Sequence, residues 1–152
     1  MNMKQIILIF LGNVMLLSQC INGGKSRRIS YYNNSVNPIS ECWSYCYPDT
    51  LLPVIKPVSF VPINKEMHTS FGDLGYQEDH LFASLPADTL SIFIFDYDII
   101  ERYDWQTIRD NYTILVRYDF SQKDLQKLKW CIYYPPTEEM KDMKMFPPYG
   151  SD

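Results

Sequence analysis

Residues 90–95 read Leu-Ser-Ile-Phe-Ile-Phe, and no other stretch limits the fold as strongly. Successive side chains of a strand point to opposite faces. Here both faces are apolar, with Leu90, Ile92 and Ile94 on one and Phe93 and Phe95 on the other. A strand that is apolar on both sides predicts a central position, buried front and back. Asp98 and Glu101 follow at capping-box spacing and predict a short helix. Asp104 can cap a second helix, in which Trp105, Ile108 and Tyr112 fall at i, i+3 and i+7. Residues 113–120 then alternate, with Ile114, Val116, Tyr118 and Phe120 on one face. Ser121 and Asp124 form a further capping box ahead of Leu125 and Leu128. Residues 130–134, Trp-Cys-Ile-Tyr-Tyr, predict a last strand ended by Pro135-Pro136.

The upstream part is less regular. Residues 38–47 alternate and predict a strand, stopped at Pro48-Asp49. Pro53, Pro57 and Pro62 remove ladder donors, so any strand there is an edge or is broken. Residues 64–87 are expected to be mostly loop, with His68 and His80 solvated within it. Short connections suit antiparallel pairing. Twelve Tyr and an aromatic share of 15% favour a β-rich fold. The expectation is one α+β domain over residues 37–136, small, β-rich and mainly antiparallel. A sandwich is one arrangement that fits, with short helices between the C-terminal strands. Residues 137–152 are expected as a polar tail, with Met140, Met143 and Met145 in a loose segment rather than docked.

Residues 1–36 carry the compartment. Lys4 precedes an apolar run of twelve, Ile6 to Leu17, too short to cross a bilayer of roughly 30 Å comfortably but suited to a signal-peptide core. The run ends Leu17-Ser18-Gln19-Cys20, which resembles the bacterial lipoprotein signal. Gln19 departs from the small residue usual there. The resemblance implies a signal peptide over 1–19, acylation of Cys20 (palmitate among its chains), and attachment to the cell envelope. Residues 20–36 are then a flexible tether, in which Lys25, Arg27 and Arg28 could favour anionic headgroups. Ile21 stands where an Asp would imply inner-membrane retention, so the implied place is the outer membrane, facing the periplasm.

Exported proteins keep disulfides. With Cys20 lipidated, Cys42, Cys46 and Cys131 remain. Four residues of strand span about 13 Å, beyond the roughly 7 Å a bridge allows. Any disulfide is therefore expected to join Cys131 to Cys42 or Cys46. No metal site or cofactor is expected, because the Cys42–Cys46 spacing has no matching second pair. The net charge of −4 and the lack of a basic stripe exclude nucleic acid as an expected partner.

One stretch invites a catalytic reading. Phe93-Ile94-Phe95-Asp96-Tyr97-Asp98 resembles the first motif of haloacid-dehalogenase-type phosphatases. That implies Asp96 as nucleophile and Asp98 as general acid/base, with Mg²⁺ held by Asp96 and a backbone carbonyl. Ile99-Ile100 stand where that family has a small pair. The 52 residues after Ile100 are too few for its doubly wound sheet. Asp98 as a helix cap is the simpler assignment.

Residues 88–135 are also similar to uncharacterised small lipoproteins of gut anaerobes. The matching pieces are DTLSIFIFD, RYDWQTIRDNYTILVRYDFSQKDL and LKWCIYYP. That family has no established activity and transfers no catalytic residue. In such organisms Asp-Thr-Leu can accept an O-glycan, which would fall on Thr50 and Thr89. The expected function is non-enzymatic binding of an envelope partner, since the surplus of Tyr and Trp suits interfaces. Carbohydrate stacking on Trp43, Trp105 or Trp130 is the alternative, and the metal-dependent phosphatase a remoter one.

Overall fold

The computed structural model describes residues 28–57, 60–73 and 78–151, with the side chains of 68–73 and 78–80 outside that description. Among the described residues, seven strands and four short α-helices run in the order β1 (Arg28–Asn33), β2 (Ile39–Ser44), β3 (His68–Asp73), α1 (Glu78–Ser84), β4 (Thr89–Asp96), α2 (Tyr97–Arg102), α3 (Trp105–Asp110), β5 (Val116–Ser121), α4 (Gln122–Lys127), β6 (Cys131–Tyr134) and β7 (Met145–Phe146). The fold is α+β. Four strands form an antiparallel sheet ordered β2-β4-β5-β7, and three form a second sheet ordered β3-β1-β6. The pairing of β1 with β6 is parallel.

β4 lies inside its sheet and is buried on both faces, as its composition demands. Leu90, Ile92 and Ile94 join Val116, Tyr118 and Phe120 of β5 in a core shared with Ile29, Tyr31 and Ile132 of the three-stranded sheet. Phe93 and Phe95 face the other way and pack with Cys42, Leu52, Ile100, Trp105 and Ile108. The four-stranded sheet thus separates two cores. One lies between the sheets; the other lies beneath α2, α3 and the loop after β2. Hydrogen bonds tie sheet to sheet, among them those from Trp43 Nε1 to Tyr31 Oη (2.6 Å) and from Tyr118 Oη to the Tyr133 carbonyl (2.9 Å).

The helix starts follow side-chain chemistry. Asp104 accepts from the Thr107 N–H at 2.9 Å, and Trp105 and Ile108 beneath it are buried. The Ser121–Asp124 capping box closes in both directions, and Leu125 and Leu128 are buried behind it.

Several expectations are corrected. The tether assigned to 20–36 ends early: residues 28–33 form the middle strand of the second sheet, with Ile29, Tyr31 and Asn33 buried. The stretch 64–87 contains β3 and α1 as well as loop. The tail is not loose, because Met140, Met143 and Met145 are buried and β7 pairs with β5. Apolar Met side chains there fill the open end of the inter-sheet core. Residues 130–134 are not the last strand, and Trp130 is outside the strand because its φ of 64° breaks extension. Ile114 lies on the opposite side from Val116, packed on the α2–α3 core, because the strand begins only at residue 116. Residues 1–19, expected as a signal peptide, and Cys20, Lys25 and Arg27 lie outside the described residues. No helix among the described residues is long and apolar enough to cross a membrane.

Candidate functional site

β2 is an edge strand of the four-stranded sheet. Its end and the loop after it enclose a cleft of about 300 Å³, bordered by Trp43, Tyr45, Cys46, Leu52, Val54 and Arg109 among others. The loop owes its shape to α3 and the turn beyond. Trp105 Nε1 donates to the Pro53 carbonyl at 2.9 Å, Arg109 Nε to the Leu52 carbonyl at 3.3 Å, and Tyr112 Oη to the Thr50 carbonyl at 2.9 Å. Asp49 Oδ1 accepts from the Leu51 N–H at 2.9 Å. These bonds hold the loop's backbone from within; Leu52 turns into the α2–α3 core, while the loop's other apolar side chains turn outward. Leu51, Val54 and Ile55 are 68%, 75% and 81% exposed, and Tyr45 is 48% exposed. A second hollow of about 440 Å³ lies between Phe82, Ala87 and the start of α4 at Ser121–Lys123, and the capping box already engages Ser121 there.

Glu41 shares the inter-sheet face of β2 with Ile39 and Trp43. Burial pushes its carboxyl up to about 7, and the Trp43 indole, whose 2.6 Å bond goes to Tyr31 Oη, offsets this only in part. Burial, and then the Glu41 charge, raises the Tyr31 hydroxyl well above its ordinary value. The sign of the pH effect follows. A carboxyl that titrates near 7 when folded and at 4.5 when unfolded binds its proton more tightly in the native state. Stability is therefore full below pH 4.5, falls as pH rises, and levels off above about 7. The loss is about 2 kcal/mol once the partial exposure of the carboxylate is allowed for. Glu41→Gln should flatten this part of the curve in urea unfolding across pH, and an unaltered slope would refute the assignment.

The cysteines depart from expectation. Cys42 is buried and Cys46 exposed, both as free thiols. Neither is bridged to Cys131. The expected bridge from Cys131 to Cys42 or Cys46 is therefore corrected. Cys42 faces the α2–α3 core, whereas Cys131 opens β6 beside Ser30 in the other sheet, so the four-stranded sheet stands between them. Burial first, and then the Glu41 charge, pushes the Cys42 thiol up to about 12, which leaves it unreactive.

Asp96 is the N-cap of α2, in place of Asp98. Its Oδ1 accepts from the N–H of Asp98 (2.9 Å) and of Ile99 (3.4 Å), and Asn37 Nδ2 approaches Oδ2 at 3.4 Å. Both oxygens of the would-be nucleophile are thus engaged, and Asp98 sits in the helix's first turn. No group of three or more His, Cys, Asp or Glu side chains able to hold a metal lies among the described residues. Trp105 and Trp130 are buried, while Trp43 is half-buried and borders the cleft. Thr89 Oγ1 donates to the Ala87 carbonyl at 2.7 Å, and Thr50 is half-buried at the foot of the loop. His68 and His80 fall in β3 and α1, and their side chains are outside the description.

Glu41, Arg109 and the loop rim are what sequence reasoning missed. One signal was available: Glu41 lies between Ile39 and Trp43 on an otherwise apolar strand face. No protein-family model, no curated protein and no solved structure matches the chain.

Proposed function

We propose that this chain is a lipid-anchored protein of the bacterial cell envelope, held at the outer membrane, that acts by binding another envelope protein rather than by catalysis. The observation that carries the binding role is the cleft at the end of β2, whose rim exposes Tyr45, Leu51 and Val54 together, with exposed Ile55 next in the chain. Apolar side chains held outward by a pinned loop suit a protein interface. The anchor rests on the apolar run Ile6–Leu17 ending at Cys20. One acyl chain, at about 0.8 kcal/mol per buried CH₂, holds only marginally, and an acylated bacterial Cys supplies several.

Cys20→Ser should release the folded domain from the membrane fraction or leave an uncleaved precursor. Mass spectrometry of the wild-type N-terminus reads the lipid directly. One sulfur cannot carry both a thioether-linked lipid and a disulfide. A peptide in which Cys20 is bridged to Cys131 would therefore overturn the anchor, as would an unmodified N-terminus. For the binding role, chemical cross-linking in intact cells and isolation of the detergent-solubilised protein should recover one partner reproducibly, and recovery of the protein always alone would overturn it.

A further inference from the structure

We propose that the outer edge of β2, from Glu41 to Tyr45, takes an extended peptide segment of the partner as an added strand, with an apolar side chain in the cleft and a basic one beside Glu41. This rests on the binding role and names its chemistry. The backbone directions along β2 are fixed by its neighbours. The Pro38 carbonyl accepts from the Tyr97 N–H (3.0 Å), on the β4 side. Ile39 exchanges both of its bonds with Ile63 instead (3.1 and 2.8 Å), on the outer side. Directions alternate along a strand, so Glu41 and Trp43 also present N–H and C=O outward.

The outer ladder ends at Ile63. The Val61 carbonyl is taken by the Ser40 hydroxyl at 3.2 Å. Among the described residues no backbone group pairs with Glu41 or Trp43, and the Trp43 carbonyl meets only the Cys42 thiol, at 3.6 Å. An unpaired edge is a template for an incoming strand, and alternate side chains of that strand give specificity.

The surroundings select the occupant. The charged groups of the cleft are already engaged: Asp49 with the Leu51 N–H, and Arg109 with the Leu52 carbonyl and Gln106 Oε1. Apart from the Tyr45 hydroxyl and the Cys46 thiol, what remains for a ligand is mainly apolar surface, which suits an aliphatic or aromatic side chain better than a sugar's hydroxyls. Residues opposite each other across a strand pair share a face, so the peptide residue opposite Glu41 stands beside its carboxylate. Glu41 makes no ion pair among the described residues, and Lys or Arg complements it there. The next peptide residue points to the other face, where Ser44, Cys46 and Leu52 line the cleft.

The test is selection of random linear peptides displayed on phage against the full, detergent-solubilised protein. Selected peptides should alternate, with Lys or Arg two residues from another residue on one face and a large apolar residue between them. N-methylation of a selected peptide should weaken binding tenfold or more at every second residue and leave the others unchanged, because only alternate amides face β2. Leu51→Asp and Val54→Asp, both at exposed positions, should weaken binding tenfold with unchanged circular dichroism. Glu41→Gln should remove the preference for Lys and Arg. Methylation effects without alternation overturn strand addition, and failure to select any peptide overturns the docking mode. A partner recovered by cross-linking in that last case leaves the broader binding role standing, which separates the two failures.

Discussion

Arg117→Met should destabilise the protein by about 3–5 kcal/mol, the cost of leaving a buried charge without its partner. Asp119 is 3% exposed, and its carboxylate is held by Arg117 Nε at 3.1 and 3.2 Å and by the Ser91 hydroxyl at 2.8 Å. The guanidinium is itself mostly covered, its side chain 12% exposed, with the Phe146 ring 5.7 Å away. Methionine preserves the length of the stem and removes the guanidinium with its Nε donor. The triple variant Ser91→Ala/Arg117→Met/Asp119→Leu should recover most of the loss, since a well-packed apolar replacement of a buried pair is often neutral. Urea unfolding midpoints read both. A loss under about 1 kcal/mol in the single variant would mean that water reaches Asp119. The change should also be felt at the cleft. Arg117 Nη1 donates to Tyr112 Oη at 2.7 Å, and Tyr112 Oη donates to the Thr50 carbonyl. This chain of bonds leads from the middle of β5 to the loop whose rim is exposed.

Local chemistry was legible wherever it was sufficient. The caps at Asp104 and Ser121 use side chains within three residues of the N–H groups they satisfy, so spacing alone announces them. The double-faced burial of β4 follows from its composition. Asp96 displaced Asp98 as a cap because the strand ends there, two residues sooner than the Asp98–Glu101 spacing implies, and the helix starts at Tyr97. Sequence spacing could not place that end to within two residues. β1 was hidden for a different reason. Arg28, Ser30 and Asn33 look like linker residues, and its position comes from β3 and β6, with Ser30 set opposite Cys131. Pairing over a hundred residues leaves no local trace. The cleft was illegible likewise: Trp105 and Tyr112 read as one helical face with Ile108, yet their polar tips, and that of Arg109, reach a loop more than fifty residues away.

Asn33 shows how much such distant pairing can depend on one side chain, and Asn33→Leu should cost about 3 kcal/mol. The residue is fully buried at the end of β1. Its Nδ2 donates to the carbonyls of Asn37 (2.8 Å) and Ile63 (2.7 Å), while Oδ1 accepts from Ser35 N–H (2.8 Å) and Oγ (2.7 Å). Its backbone bonds to Met67 and Glu66. One amide therefore holds the end of β1, the turn into β2 and the segment that pairs with Ile39. Leucine fills the space but leaves the Ser35 N–H without its acceptor and the Ile63 carbonyl with one bond fewer. Asn33→Asp isolates the donor half of the role. It keeps the acceptor but turns a second oxygen toward two carbonyls. A protonated carboxyl can donate to one of them and an ionised one cannot, so the Asp variant should lose stability as pH rises and approach wild type in acid. Unfolding midpoints compared at acid and neutral pH decide this. A variant as stable as wild type at both would show that the two carbonyl contacts contribute nothing, and that Asn33 is held by its Ser35 bonds alone.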